Sequence, residues 1–345
     1  MLLESPASAE AHSGAAALIL PVKWRRGAAV VTAVALAGYL AVVWSVDGER
    51  ILAAAAHIGL ATVGLVLLLS LVNYLLRFGR WQLYVRWQGF SVGALRSLPI
   101  YLGGFALTVS PGKAGEAVRC YYLSEEGVPY RASFAMLFVE RLLDLLAILI
   151  LSALILGTRA DLGWAIGGAF VLIAIGLLLI VWPRSPDLLR GAAARIGGRV
   201  HHLLDWLADT LARSGALLRP PRLLAALTLS IVAWGAEGYG VWLLVSALGH
   251  ETSPLLAIGI YGLAVLAGAA AIFLPAGLGG TEAAMTGLLV AAGLPVAEAV
   301  AVTLICRLAT LWFAVAIGLI ALVAIELFVT PEGKPVTLGG ERGPA

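Results

Sequence analysis

Charge is what this chain has least of. Only 12% of its 345 residues are Asp, Glu, Lys or Arg, where a soluble domain carries about a quarter. Lysine is confined to Lys23, Lys113 and Lys334, and cysteine to Cys120 and Cys306. Two distant cysteines exclude a disulfide-stapled secreted scaffold, and with five scattered histidines they make no metal or redox spacing. No metal and no cofactor is therefore expected. No G-x-x-x-x-G-K-[ST] pattern occurs, so a nucleotide P-loop is excluded as well. A formal charge of +3 in so apolar a chain gives no basic face for nucleic acid. What fills the chain instead is apolar side chain: 61% of residues are hydrophobic before the 40 glycines are added, with mean hydropathy +0.97. No water-soluble fold of this size hides so much apolar surface, and disorder is excluded for the same reason. An all-α polytopic membrane protein follows.

A helix needs about 20 apolar residues to cross the hydrocarbon core. Uninterrupted stretches run over 27–46, 58–76, 133–156, 163–182, 223–248 and 297–329. Two more apolar segments are broken. Residues 94–124 contain Pro99, Gly103, Gly104 and then Ser110-Pro111-Gly112-Lys113-Ala114-Gly115-Glu116; residues 254–294 contain Leu274-Pro275-Ala276-Gly277-Leu278-Gly279-Gly280-Thr281-Glu282. In lipid a broken backbone must be buried in protein or line a wet cavity, so both read as re-entrant hairpins. Six crossings plus two hairpins is the expected plan. Eight crossings stay open, because residues 255–273 are long enough to span.

Bases orient such a bundle. Lys23, Arg25 and Arg26 precede the first stretch, which reads as an uncleaved helix rather than a signal peptide. Arg77, Arg80, Arg86 and Arg96 follow the second, and seven arginines from Arg184 to Arg222 lie between the fourth and fifth. The opposite loops hold Arg50 and Arg159. The N-terminal tail, 1–26, is thus expected in the cytoplasm, as is segment 184–222. Within that segment Ile196, Val200, Leu203, Leu207 and Leu211 recur at helical spacing. They suit a helix lying on the leaflet or a connector packed on the bundle.

An internal repeat is the most informative pattern. Glu116 precedes Arg141 by 25 residues, and Glu282 precedes Arg307 by 25. Each acid follows a Pro/Gly break, each arginine sits in an apolar helix before a leucine, and Ile-Tyr pairs precede both breaks at Tyr101 and Tyr261. The copies run over about 94–156 and 254–329, with opposite orientation in the expected topology. Broken helices in inverted repeats, meeting near the midplane, are a recurrent transporter plan. Glu140, Arg141, Asp144, Glu237 and Arg307 all lie in apolar surroundings, where one central charge costs about 2.5–3.5 kcal/mol. Structural helices would not carry five. They can form a salt-bridge network that glues the bundle, a polar path, or both; Arg141 can pair with Asp144 at i,i+3. Glycine-rich breaks entering a helix also present free N–H groups that attract anions. The candidate binding and translocation residues are therefore Lys113, Gly115, Glu116, Arg119, Glu140, Arg141, Asp144, Glu237, Gly279, Gly280, Glu282 and Arg307.

At Arg80-Trp81, Pro111 to Glu116 with Arg119, Glu140-Arg141-Leu142-Leu143-Asp144, Leu274 to Glu282, and Arg307, the chain resembles the lysylphosphatidylglycerol synthase transmembrane-region family of flippase-like domains. Residues 27–329 would form that domain, and 330–345 a tail. The resemblance implies movement of lipids or lipid-linked headgroups between leaflets, with cargo ranging to isoprenoid-type lipids. It also implies residence in a bacterial inner membrane. No aminoacyl-transfer domain is evident, so synthase activity is not carried over. The expectation is a non-enzymatic translocator of a lipid with an anionic headgroup. A scaffold that assembles a lipid-synthesis enzyme, and a membrane-embedded enzyme acting on lipid, are the alternatives.

Overall fold

Asp47 opens the first long helix by accepting a hydrogen bond from Arg50 N–H at 3.2 Å, which satisfies one free donor of the first turn. This helix, α1, runs from Gly48 to Trp87 and is kinked at Gly59, whose φ of 76° only glycine adopts easily. The computed structural model describes Gly38 and residues 47–110, 115–196, 198–270 and 277–328. The expected first span apart from Gly38, residues 111–114 (with Lys113) and 271–276 of the broken segments, and both tails lie outside these. Among the described residues there is no strand. The protein is an all-α polytopic membrane protein.

The next element is α2, Ala94–Gly103, extended by a 3-10 turn over Gly104–Leu107. After the first break come α3, Val118–Glu125, and α4, Tyr130–Ser152. Then follow α5, Gly163–Val181, and a pair of helices α6, Ser185–Ile196, and α7, Gly198–Leu217. Helix α8 is Pro220–Ala247 and α9 is Pro254–Ala270. After the second break come α10, Gly280–Ala291, and α11, Val296–Arg307. One π turn, Leu308–Trp312, joins α11 to α12, Phe313–Phe328. Among the described residues four helical stretches are long and apolar enough to cross a membrane: Gly48–Trp87, Ala160–Val181, Pro220–Ala247 and Val296–Ile325.

The two repeats share a turn as well as their charges. Helices α3 and α10 each end in a glycine of positive φ, Gly127 at 83° and Gly293 at 103°. Gly127 N–H donates to Ser124 O and Val128 N–H to Leu123 O; Gly293 N–H donates to Val290 O and Leu294 N–H to Leu289 O. Both are Schellman caps, closing the last carbonyls of a helix. Pro129 and Pro295 follow immediately, each at the N-cap of the next long helix.

Packing exchanges the repeats. Helix α2 and its 3-10 turn pack on α12, while α9 packs on α4. Small residues let the backbones approach, as membrane helices require. A Cβ placed on Gly259 would stand 2.7 Å from Ile155 N, and one on Gly262 2.9 Å from Ser152 N. At the other crossing Gly318 faces the backbone of Phe105 and Ala106 just as closely. Within each repeat the two halves of the broken segment also pack on each other, α2 with α3 and α9 with α10.

Candidate functional site

Helix periodicity places Arg77 and Arg80 of α1 on one face, with Glu140 and Asp144 on one face of α4. In the folded protein these faces meet. Glu140 Oε1 accepts from Tyr101 Oη at 3.0 Å and from Arg141 Nη2 at 2.8 Å, with Arg77 and Arg80 each 3.4 Å away. Its other oxygen accepts from Arg119 Nη1 at 3.0 Å. Asp144 takes Arg80 Nη1 at 2.8 Å, Arg141 Nη2 at 3.2 Å and Arg77 Nη2 at 3.3 Å. Glu116 accepts from Thr108 Oγ1 at 2.7 Å and Arg119 Nη2 at 2.9 Å, and stands 3.6 Å from Arg141 Nη2. Four arginines thus surround three carboxylates. Aromatic rings flank the guanidinium groups: Arg119 lies 4.8 Å from the centroids of both Trp81 and Tyr101, and Arg77 lies between Phe105 and Trp234 at 5.4 and 5.2 Å.

The second repeat is simpler. Arg307 Nε donates to Glu282 Oε1 at 2.8 Å, and Gly279 N–H donates to Glu282 Oε2 at 2.8 Å, so the acid both pairs with the arginine and caps α10. Tyr261 Oη donates to Glu237 of α8. Counting from the aligned Glu–Arg pairs, Arg119, Glu140 and Asp144 of the first repeat correspond to Met285, Cys306 and Thr310 of the second. Met285 and Cys306 are fully buried. Among the described residues the dense ionic cluster lies in the first repeat.

Between the two lies a cavity of about 410 Å³. Its polar wall holds Arg77, Glu116, Arg141, Asp144, Glu237 and Arg307, with Tyr74, Tyr261, Thr108, Thr281 and Thr310. Its apolar wall holds Phe105, Leu145, Ile148, Trp234, Val265 and Leu311. Arg141 is the most open arginine of the cluster, with 24% of its side chain accessible against 7% or less for Arg77, Arg80 and Arg119. The buried Nε atoms of Arg77 and Arg141 have no hydrogen-bond partner among the described residues. The π turn lies on the same wall, and Tyr74 Oη donates to its Thr310 O at 2.7 Å. Such turns free a carbonyl and recur at functional sites.

Five of the candidate residues line this space: Glu116, Arg141, Asp144, Glu237 and Arg307. Arg119, Glu140 and Glu282 stand behind them as ion-pair partners. Gly115 serves packing, since its Cβ would stand 2.6 Å from Leu107 Cβ. Gly279 and Gly280 form the entry to α10 and do not line the cavity. Lys113 lies outside the described residues. Arg77, Tyr74 and Trp234 also line the cavity, and their residue types alone do not single them out in the sequence. Arg77 and Arg80 read in the sequence as bases following a span; both are buried within α1, at 6% and 0% exposure, because their pairing with α4 compensates their charge. Their i,i+3 spacing inside an otherwise apolar helix was the available signal.

The family described as "Lysylphosphatidylglycerol synthase TM region" matches residues 28–318. A UPF0104 membrane protein of Pyrococcus horikoshii is 22% identical over 307 residues, covering 81% of this chain and 91% of that protein. A UPF0104 membrane protein of Methanocaldococcus jannaschii is 24% identical over 283 residues, covering 76% and 84%. One from Methanothermobacter thermautotrophicus is 26% identical over 268 residues, covering 70% and 79%.

Proposed function

The chain belongs to the lysylphosphatidylglycerol synthase transmembrane-region family, and we propose that it moves a lipid with an anionic headgroup between membrane leaflets. The observation that carries this reading is Arg141. It caps a buried cluster of four arginines against three carboxylates, and it alone of the four has a quarter of its side chain open to the cavity. A phosphate there would meet guanidinium donors held in place by Glu116, Glu140 and Asp144. Acyl chains would stay against the apolar wall or in lipid. Buried ion pairs contribute little net stability over apolar packing, so a cluster of this size is better explained by a ligand than by folding.

In this reading α2–α3 and α9–α10 are re-entrant hairpins, and Glu116, Gly277 and Thr281 of them line the cavity. The N-terminus and the arginine-rich helices α6 and α7 face the cytoplasm, and the protein resides in the cell's plasma membrane. The step makes and breaks no covalent bond, so the chain acts as a translocator and not as an enzyme. A lipid-synthesis enzyme that supplies the cargo is the expected partner.

The test is leaflet exchange of headgroup-labelled lipids in vesicles holding the purified protein, read with a membrane-impermeant quencher. Exchange of anionic lipid, recovered chemically intact, supports the proposal. A chemically altered lipid points to the enzyme alternative. No exchange with any lipid, with or without a pH gradient, points to a scaffold.

A further inference from the structure

Helix α7 carries one apolar-to-neutral stripe, Val200, Leu203, Leu207, Thr210, Ser214 and Leu217, spaced three and four residues apart. Only half of it is covered. Thr210, Ser214 and Leu217 are buried at 5% exposure or less, and Leu217 shares an apolar cluster with Ile180 at the end of α5 and Ala226 near the start of α8. Val200, Leu203 and Leu207 are 46%, 55% and 36% exposed. On one helix the bare half of a stripe points the same way as the covered half, here toward the side occupied by the span ends. Helix α5, which packs against α7, is bare as well: exposed Leu172, Ile175 and Leu179 lead to a half-open Trp182 just before the hairpin. Aromatic residues of this kind mark the membrane–water boundary. Leu188 and Ile196 of α6 add two more bare apolar side chains. Residues 184–204 bring four arginines and one aspartate, and Arg184, Arg190 and Arg195 are exposed.

We propose that the α6–α7 hairpin seats this bare face in the headgroup region of an anionic leaflet, its arginines against lipid phosphates. The occupant is the bilayer itself, and the site is separate from the cavity. Off the stripe, Asp205 of α7 faces Arg131 at 3.6 Å, and the tilted rings of Trp206 and Phe134 lie 4.7 Å apart, Arg131 and Phe134 both being in the first two turns of α4. The lipid surface is thereby tied to the helix that carries Glu140, Arg141 and Asp144.

The test uses the full chain, labelled with an environment-sensitive fluorophore at Leu203→Cys or, off the stripe, at exposed His202→Cys. Cys120 and Cys306 are buried and escape labelling. In vesicles of phosphatidylcholine with phosphatidylglycerol, aqueous iodide should quench position 203 severalfold less than 202, and a headgroup-region lipid nitroxide should quench it more. Replacing Arg184, Arg190 and Arg195 together with Gln should abolish the response to phosphatidylglycerol while lipid contact at 203 persists. Equal iodide access at both positions overturns the proposal. So does shielding of 203 from both quenchers, which would mean that protein covers it. Indifference to phosphatidylglycerol in the unsubstituted chain overturns the anionic preference.

Discussion

Arg307 of α11 and Glu282 of α10 stand 25 residues apart and pair at 2.8 Å. In the other repeat Arg141 stands 3.6 Å from Glu116 across the same separation. One interval of sequence closes twice into a carboxylate–guanidinium contact, because a Schellman glycine and a proline turn the chain at the same offset in both copies. The first pair is embedded in a network of four arginines and three carboxylates. Both pairs set expected consequences of substitution.

Removing one partner of a buried pair leaves an uncompensated charge, at a cost of about 3–5 kcal/mol. Glu282→Gln and Arg307→Gln should each lower the thermal unfolding midpoint in detergent, and the double variant should recover most of the loss. Additive losses would mean that the two side chains do not depend on each other.

Glu140 contacts four arginines, Arg77, Arg80, Arg119 and Arg141, while Glu116 contacts Arg119 and Arg141 among the described arginines. Glu140→Gln should therefore destabilise the protein more than Glu116→Gln, measured as unfolding midpoints in the same detergent. The reverse order would displace Glu140 from the centre of the cluster.

Gly259 has backbone neighbours within 3.2 Å of any added Cβ, while Gly235 of α8 has nothing within 4 Å. Overpacking of this kind costs about 1–3 kcal/mol, and Ala exceeds Gly in helix propensity by about 1 kcal/mol. Gly259→Ala should thus destabilise and Gly235→Ala should be neutral or stabilising, both read from thermal unfolding.

Tyr74→Phe removes the donor that satisfies Thr310 O at the π turn. The expected loss is about 1 kcal/mol of stability, together with a change in lipid exchange rate larger than that loss explains. An unchanged rate would leave the π turn a packing feature only.

Much of this was legible in the sequence because its causes are local. Apolar runs set the helices, and the Glu–Arg interval announced contacts that the fold makes. The Gly127/Pro129 and Gly293/Pro295 turns were readable too, at equal offsets from Glu116 and Glu282, and would have strengthened the repeat. Arg77 and Arg80 were misplaced because hydropathy ends a span at the first strong base, whereas pairing with α4 carries the helix on to Trp87. The crossing of α2 on α12 and α9 on α4 depends on contacts far apart in the chain, which periodicity does not encode. Val200, Leu203 and Leu207 were readable at helical spacing, but Ile196, read with them, ends α6 instead, and the covered Thr210, Ser214 and Leu217 were not readable as part of the stripe.

The central claim is that the cavity arginines carry a lipid headgroup, and Arg141→Ala tests it most directly. Leaflet exchange of an anionic, headgroup-labelled phospholipid would be followed in vesicles, with Glu116→Gln in parallel and folding of each variant checked by thermal unfolding. The account predicts exchange by the wild type and at least a tenfold loss in a folded Arg141→Ala protein. Wild-type exchange left intact by that substitution would contradict it.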